Sequence, residues 1–202
     1  MRLVKTPFLL KKLFPKVLWN KNRAEKVVYL TFDDGPTPKI TEWVLAELNK
    51  YNAKATFFCI GKNAELYPNI LMKTIENGHR IGNHTFSHYN AWKTKSATYL
   101  EDVEHCSKII DTDLFRPPYG KITPVLIKKL EDKFQIILWD IISYDFDATI
   151  STEQCYNNVI DNLENGSIIV FHDSEKAIKN LRVVLPKVLE YLHSNGYKMN
   201  VL

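Results

Sequence analysis

At 202 residues, with 45% apolar and 25% charged side chains, the chain can bury one sizeable core and is short for two, so a single domain is expected. Its formal charge of +4 is uneven: residues 1–26 carry eight basic side chains against Glu25 alone, a segment of +7 that leaves the rest at −3 and argues against a nucleic-acid-binding body. No run approaches the roughly 20 apolar residues of a membrane span, and three scattered cysteines, Cys59, Cys106 and Cys155, argue against a disulfide framework or a thiolate zinc knuckle.

Residues 1–25 read as a basic N-terminal arm. Phe8-Leu9-Leu10 is cut off by Lys11-Lys12 before a secretory core of roughly 7 to 15 residues is complete, so no clear signal peptide is present. Leu10, Leu13, Phe14, Val17 and Leu18 follow helical spacing, yet Pro15 interrupts them, which predicts two short turns. Docking on the outside of the fold is the first reading of this arm, and peripheral contact with a membrane the second.

From residue 26 to 202 strand and helix patterns alternate. Strands are predicted over Val27–Phe32, Ala55–Ile60, a short piece entering Gly82-Asn83-His84, Leu114–Arg116, Phe134–Trp139, Ser167–Phe171 and near Tyr197–Val201. Helices are predicted over Ile40–Leu48, Ala64–Glu76, near Thr98–Ile110, after Thr123-Pro124, over Thr152–Leu163 and over Glu175–His193. About seven parallel strands joined by helical crossovers predict an α/β fold, a single-domain distorted (β/α) barrel. Asp33-Asp34, His84, Arg116, Trp139-Asp140 and His172 each fall at the C-terminal end of a predicted strand, where such barrels assemble their sites.

His84 and His88 are four apart, a spacing that on a helical turn turns both rings to one face; with Asp34 they make a donor set for a divalent metal. Asp33 and Asp34 would repel if buried and ionised together, unless a cation stabilises both, in which case one binds it and the other handles a proton. His79, His105 and His193 are placed at the surface or at helix ends and given no role.

Four runs, Thr31-Phe32-Asp33-Asp34-Gly35-Pro36, His84-Thr85-Phe86-Ser87-His88, Arg116-Pro117-Pro118-Tyr119-Gly120 and Ile169-Val170-Phe171-His172-Asp173, resemble in this order the conserved motifs of the polysaccharide deacetylases with a NodB-type domain (carbohydrate esterase family 4). The resemblance covers roughly residues 26 to 202. It implies a metal-dependent hydrolase that removes N-acetyl groups from amino sugars of a polysaccharide or oligosaccharide, peptidoglycan or chitin-like N-acetylglucosamine chains first. It implies Asp34, His84 and His88 as ligands of zinc, or of cobalt or another divalent ion, with Asp33 as general base and His172 as general acid. Arg116 would hold Asp33, the backbone N–H of Tyr119 would receive the oxyanion, and Trp139 and Val170 would wall the acetyl methyl. The family usually acts at the cell envelope.

The chain departs from the family where many members have an Asp three residues before a final Asp-Trp. Aligned on Asp145-Phe146, that position is Ile142. Asp140 lies two residues earlier, on the same side of an extended strand, and is expected to orient His172 in its place, with Asp145 contacting Arg116 as the other choice. O-acetyl xylan cleavage on the same machinery is one alternative function and an inactive carbohydrate-binding relative, suggested by the altered fourth motif, is another. Two histidines and a carboxylate would also suit a non-haem iron oxygenase. The αβ alternation speaks against that last reading.

Overall fold

The computed structural model describes residues 2–202. At its centre lie β2 (Val27–Asp33), β3 (Ala55–Cys59) and β8 (Ile168–His172), whose residues are buried almost throughout. Near-continuous apolar runs of this kind suit strands covered on both faces, as parallel strands are. Around them the sheet runs β1 (Val17–Leu18), β6 (Gln135–Ile137), β5 (Leu114–Phe115), β4 (Arg80–Asn83), β3, β2, β8, β7 (Ile141–Ile142), every neighbouring pair parallel. A ninth strand, β9 (Lys198–Met199), pairs with the start of β2. The result is a curled parallel sheet, a distorted barrel with helices outside.

Helix packing follows the periodicity. The long helix α8 (Ile178–Ser194) buries Leu181, Val184, Leu185, Val188, Leu189 and Leu192, spaced three and four apart, into the cluster that holds Val44, Leu45 and Leu48 of α2 (Ile40–Lys50). A Ser151 to Gln154 capping box starts α7 (Thr152–Ile160), and the Thr123 hydroxyl accepts the Leu126 N–H to start α6 (Pro124–Leu130) behind an N-terminal proline.

Three expectations are corrected. The single helix over Ala64–Glu76 is two, α3 (Gly61–Leu66) and α4 (Pro68–Glu76), because Pro68 lacks an N–H and its ring obstructs the preceding turn. The strand over Phe134–Trp139 shortens to β6, which pairs with β5, and a separate strand that was not expected, β7, follows it and pairs with β8. His79 is buried, its Nδ1 accepting the Ala55 N–H at 3.1 Å and its ring edge-on to Phe57. Burial, with Lys54 nearby, pulls its pKa down to about 4, so it is neutral.

The N-terminal arm contributes to the sheet. Its α1 (Phe8–Leu13) is a short helix, but Val17 and Leu18, expected as a second turn, form β1 beside β6. Upstream, Lys5 bridges antiparallel to Ile141, with the Ile142 N–H donating to Val4 at 3.0 Å and the Thr6 N–H to Asp140 at 2.9 Å. The arm thereby supplies one edge strand of the sheet, β1, and touches the other, β7. Five of the eight cations in residues 1–26 engage carboxylates of the body: Arg2 with Asp147, Lys5 with Glu164, Lys11 and Arg23 with Asp140, and Lys16 with Glu131.

Asp140 is the centre of this clasp. Fully buried, its carboxylate accepts from Lys11 Nζ at 2.6 Å, Arg23 Nη2 at 2.9 Å and Ser167 Oγ at 2.7 Å. Removing one member of a buried charge cluster strands its partners. Asp140→Ala is therefore expected to lower stability by about 3 kcal/mol, read as a lower urea midpoint, without changing turnover per folded molecule.

Candidate active site

Asp33 and Asp34 close β2, and His172 closes β8 in register with Asp33. His84 follows β4, whose last residue Asn83 is in register with Phe115 just before Arg116. Parallel register thus delivers side chains from four segments to one end of the sheet. Asp33, Asp34, His84 and His172 line one cavity of about 300 Å³ together with His88, Tyr119, Gly120, Trp139, Ile142, Tyr144, Phe146, Val170 and Lys176, and Arg116 lies buried behind Asp33.

The candidate metal-ligand set is compact. One donor atom each from Asp34, His84 and His88 falls within 4.8 Å of the others, with His88 Nε2 3.3 Å and His84 Nε2 3.8 Å from Asp34 Oδ1. His84 Nδ1 lies 2.7 Å from the Arg116 carbonyl, an acceptor only. That contact places the proton on Nδ1 and turns the Nε2 lone pair toward Asp34, the tautomer a metal requires. Burial lowers the pKa of both rings, against the pull of the aspartates on His84 and with His84 adding to the effect on His88, which is brought to about 4. Two neutral imidazoles and a carboxylate fit a divalent cation, and zinc among others.

The backbone is bent to present these groups. Asp34, Thr85, His88, Tyr119 and Tyr144 all have positive φ, an uncommon conformation for residues with a Cβ. Gly35 allows the Asp173 carboxylate to press against the loop, accepting the Gly35 N–H at 3.1 Å and the Thr41 hydroxyl at 2.5 Å; a Cβ there would lie 2.0 Å from that carboxylate. Asp173 thus braces the Asp33-Asp34 loop, and burial pushes its carboxyl up to about 7. Gly120, at φ 63°, admits the edge of the Trp139 indole, which a Cβ would meet at 2.3 Å.

Asp33 is paired with Arg116. The fully buried guanidinium reaches Asp33 Oδ1 at 2.6 Å, Thr31 Oγ1 at 2.8 Å and the Leu138 carbonyl at 3.1 Å, and stacks over Phe58 at 4.0 Å. Burial alone would raise the Asp33 pKa, but Arg116 first, then His84 and His172, hold the carboxyl below its usual range. Asp33 is ionised at neutral pH. His172 is held by Asp145, which accepts the backbone N–H at 2.8 Å and faces ring Nδ1 at 2.8 Å. Burial would lower this imidazole's pKa; the Asp145 carboxylate overrides it and lifts the value to about 9.

The assignment of Asp140 to His172 is therefore corrected. Asp140 points toward Lys11, Arg23 and Ser167, at the beginning of β8, whereas His172 ends that strand. Asp145 supports His172, and the alternative contact of Asp145 with Arg116 is not formed, Arg116 being taken by Asp33, Thr31 and Leu138. The signal was in the sequence, since Asp145-Phe146 is the ending that matches the motif. Tyr144, Phe146, Lys176 and Asp173 were given no role from the sequence; Phe146 meets His172 edge-on at 4.8 Å and Tyr119 lies against His88 at 4.6 Å.

A curled parallel sheet carrying an Asp-His-His cluster between a buried carboxylate and a carboxylate-held imidazole defines a metal-site hydrolase architecture. Residues 20–133 match the family described as "Polysaccharide deacetylase", and the chain belongs to that family. It is 35% identical to a peptidoglycan-N-acetylglucosamine deacetylase of Bacillus cereus, over 90% of this chain and 68% of that one. A chitooligosaccharide deacetylase of Azorhizobium caulinodans is 33% identical over 72% of this chain and 73% of its own length. A crystal structure of a peptidoglycan N-acetylglucosamine deacetylase, in complex with 4-naphthalen-1-yl-N-oxidanyl-benzamide, superposes with a TM-score of 0.85 at 32% identity, covering 98% of this chain and 95% of that one.

Proposed function

We propose that the protein is a metal-dependent N-deacetylase of amino-sugar polymers, with N-acetylglucosamine of peptidoglycan as the first substrate. The observation that carries this reading is the convergence of Asp34, His84 and His88 with an Arg116-held Asp33 and an Asp145-held His172 over one cavity. The substrate comes from the relatives, which include peptidoglycan-N-acetylglucosamine deacetylases.

A divalent cation held by Asp34, His84 and His88, zinc in the first place, would polarise the acetamide carbonyl and acidify the attacking water. Asp33, ionised and fixed by Arg116, takes a proton from that water as its oxygen bonds to the carbonyl carbon. The backbone N–H of Tyr119, on the loop stiffened by Pro117 and Pro118, receives the developing negative charge. His172, protonated at neutral pH through Asp145, donates its proton to the amide nitrogen as the C–N bond breaks. Acetate and a free amino sugar leave. Trp139 and Val170 face the same cavity and would enclose the acetyl methyl.

Acetate release should be measured on peptidoglycan, N-acetylglucosamine oligomers and acetylated xylan with native, chelator-stripped and zinc-reloaded protein. Stripping is expected to cost roughly 100-fold or more in rate and reloading to restore it. Turnover that survives stripping would end the metal assignment; release from xylan in preference to the N-acetylated polymers would move the substrate to an O-acetyl ester.

A further inference from the structure

Helix α1 leaves three of its four apolar side chains in solvent. A surface helix of a globular domain turns its apolar side inward and its charges to water. Here Lys11 points inward to the buried Asp140 carboxylate and to Asn20 Oδ1 at 2.8 Å, while Phe8, Leu9 and Leu13 are 70%, 69% and 65% exposed. Leu10 packs against the core, and so does Phe14 just beyond the helix. The helix has little freedom to roll over and hide the exposed residues, because Lys11 is fixed by two partners, Thr6 donates its hydroxyl to the Trp139 carbonyl at 2.6 Å, and β1 is hydrogen-bonded into the sheet. The fold holds these apolar side chains outward.

Their surroundings are cationic. Lys12 lies over the Phe8 ring at 4.7 Å, and Lys16 and Lys128 border the groove that contains Leu13 and Phe14. One carboxylate, Glu131, borders the same groove, 3.9 Å from the largely exposed Lys16. An apolar ridge rimmed by lysines complements a surface that is apolar at depth and anionic at its face. A second copy of the chain fits poorly, since a two-fold pairing would set the same lysines against one another.

We propose that α1 and its lysine rim form a docking surface for an anionic lipid membrane. The orientation follows from the sheet. The clasp that fixes α1 is tied to Ser167, just before β8, and the His172 end of that strand lies about 16 Å away at the strand rise of about 3.3 Å per residue. A protein seated on α1 would hold its cleft away from the bilayer, toward the aqueous side where a polysaccharide lies.

The test is co-sedimentation with phosphatidylglycerol/phosphatidylcholine vesicles and with pure phosphatidylcholine vesicles, on the full chain and two variants. One is Phe8→Ser/Leu9→Ser/Leu13→Ser and the other Lys12→Glu/Lys16→Glu/Lys128→Glu, each checked by circular dichroism. The native protein is expected to pellet with anionic vesicles, less so at high salt, and each variant to bind at least tenfold more weakly. Turnover of a soluble oligosaccharide should be unaffected by the serine variant, so the outcome is independent of the catalytic assignment. Native protein left in the supernatant with anionic vesicles, equal binding to neutral ones, or a solution dimer that the serine variant dissolves would overturn the proposal.

Discussion

Asp33→Asn is expected to lower kcat on an N-acetylglucosamine oligomer about 1,000-fold, within the range that loss of a positioned general base produces. Asparagine keeps the shape and an oxygen that Arg116 can still reach, but it takes no proton from water. The Asp34, His84 and His88 donors are untouched, so metal content should stay at one ion per chain by elemental analysis. That separates loss of the base from loss of the metal. Turnover within tenfold of native, with metal retained, would show that another group takes the proton.

The same substitution probes an energetic dependence in the opposite direction. Arg116 is wholly buried and Asp33 is the anionic partner it contacts. Neutralising Asp33 leaves a guanidinium in the core with neutral acceptors, Thr31 and the Leu138 carbonyl, at a cost of about 3 kcal/mol. Native protein should therefore melt several degrees above Asp33→Asn at neutral pH. Because the Asp33 carboxyl is held below its usual pKa, its share of stability is present above about pH 4 and lost as acid carries the pH through the folded value. The melting difference between native and variant should accordingly shrink on acidification.

Much of this site was legible because its chemistry is encoded by residues close in sequence to strand ends. Asp33, His84, Arg116 and His172 follow or end runs whose apolar pattern places them at the C-terminal edge of a parallel sheet, and the register brings them together there. Asp140 misled for a physical reason. Alternation along an extended strand puts Asp140 and Ile142 on one side, but it carries no information about where the chain changes partner. Between β6 and β7 the pairing moves from β5 to β8, and Asp140 falls beside the arm's cations. The arm was half legible. Docking on the outside of the fold was the first reading of its interrupted apolar spacing, and the structure adds ion pairs to Asp140, Asp147 and Glu164 that the spacing does not encode. A two-residue strand such as β1 has too short a pattern to stand out beside a helical spacing of apolar residues. Lys176 reaches the cavity from a segment without a motif and Tyr144 from within the altered fourth motif at a position the motif does not specify, so nothing local marks them.

Asp145→Asn is the sharpest test of how the acid is tuned. On the proposed mechanism His172 serves as the acid only while protonated, so activity is expected to fall as pH rises through its pKa, which the Asp145 carboxylate lifts to about 9 against the effect of burial. An amide at position 145 removes the charge that opposes burial. The alkaline limb of the kcat profile should then move to lower pH by about two units, toward the ordinary imidazole value, and turnover at neutral pH should fall about 100-fold as the ring also loses its aligned partner. Stability supplies a second reading with a defined sign. A folded-state pKa above the unfolded value contributes stability that is fully present below about pH 6.5 and lost as pH rises through about 9. The melting-temperature gap between native and Asp145→Asn should hence be widest near pH 6 and narrow toward alkaline pH. Asp140→Asn, by contrast, loosens the clasp with Lys11 and Arg23 and leaves the alkaline limb where it was. If the limb moved in Asp140→Asn and stayed in Asp145→Asn, the proton on His172 would be governed from the wrong end of β8, and the geometry assigned to the acid would be refuted.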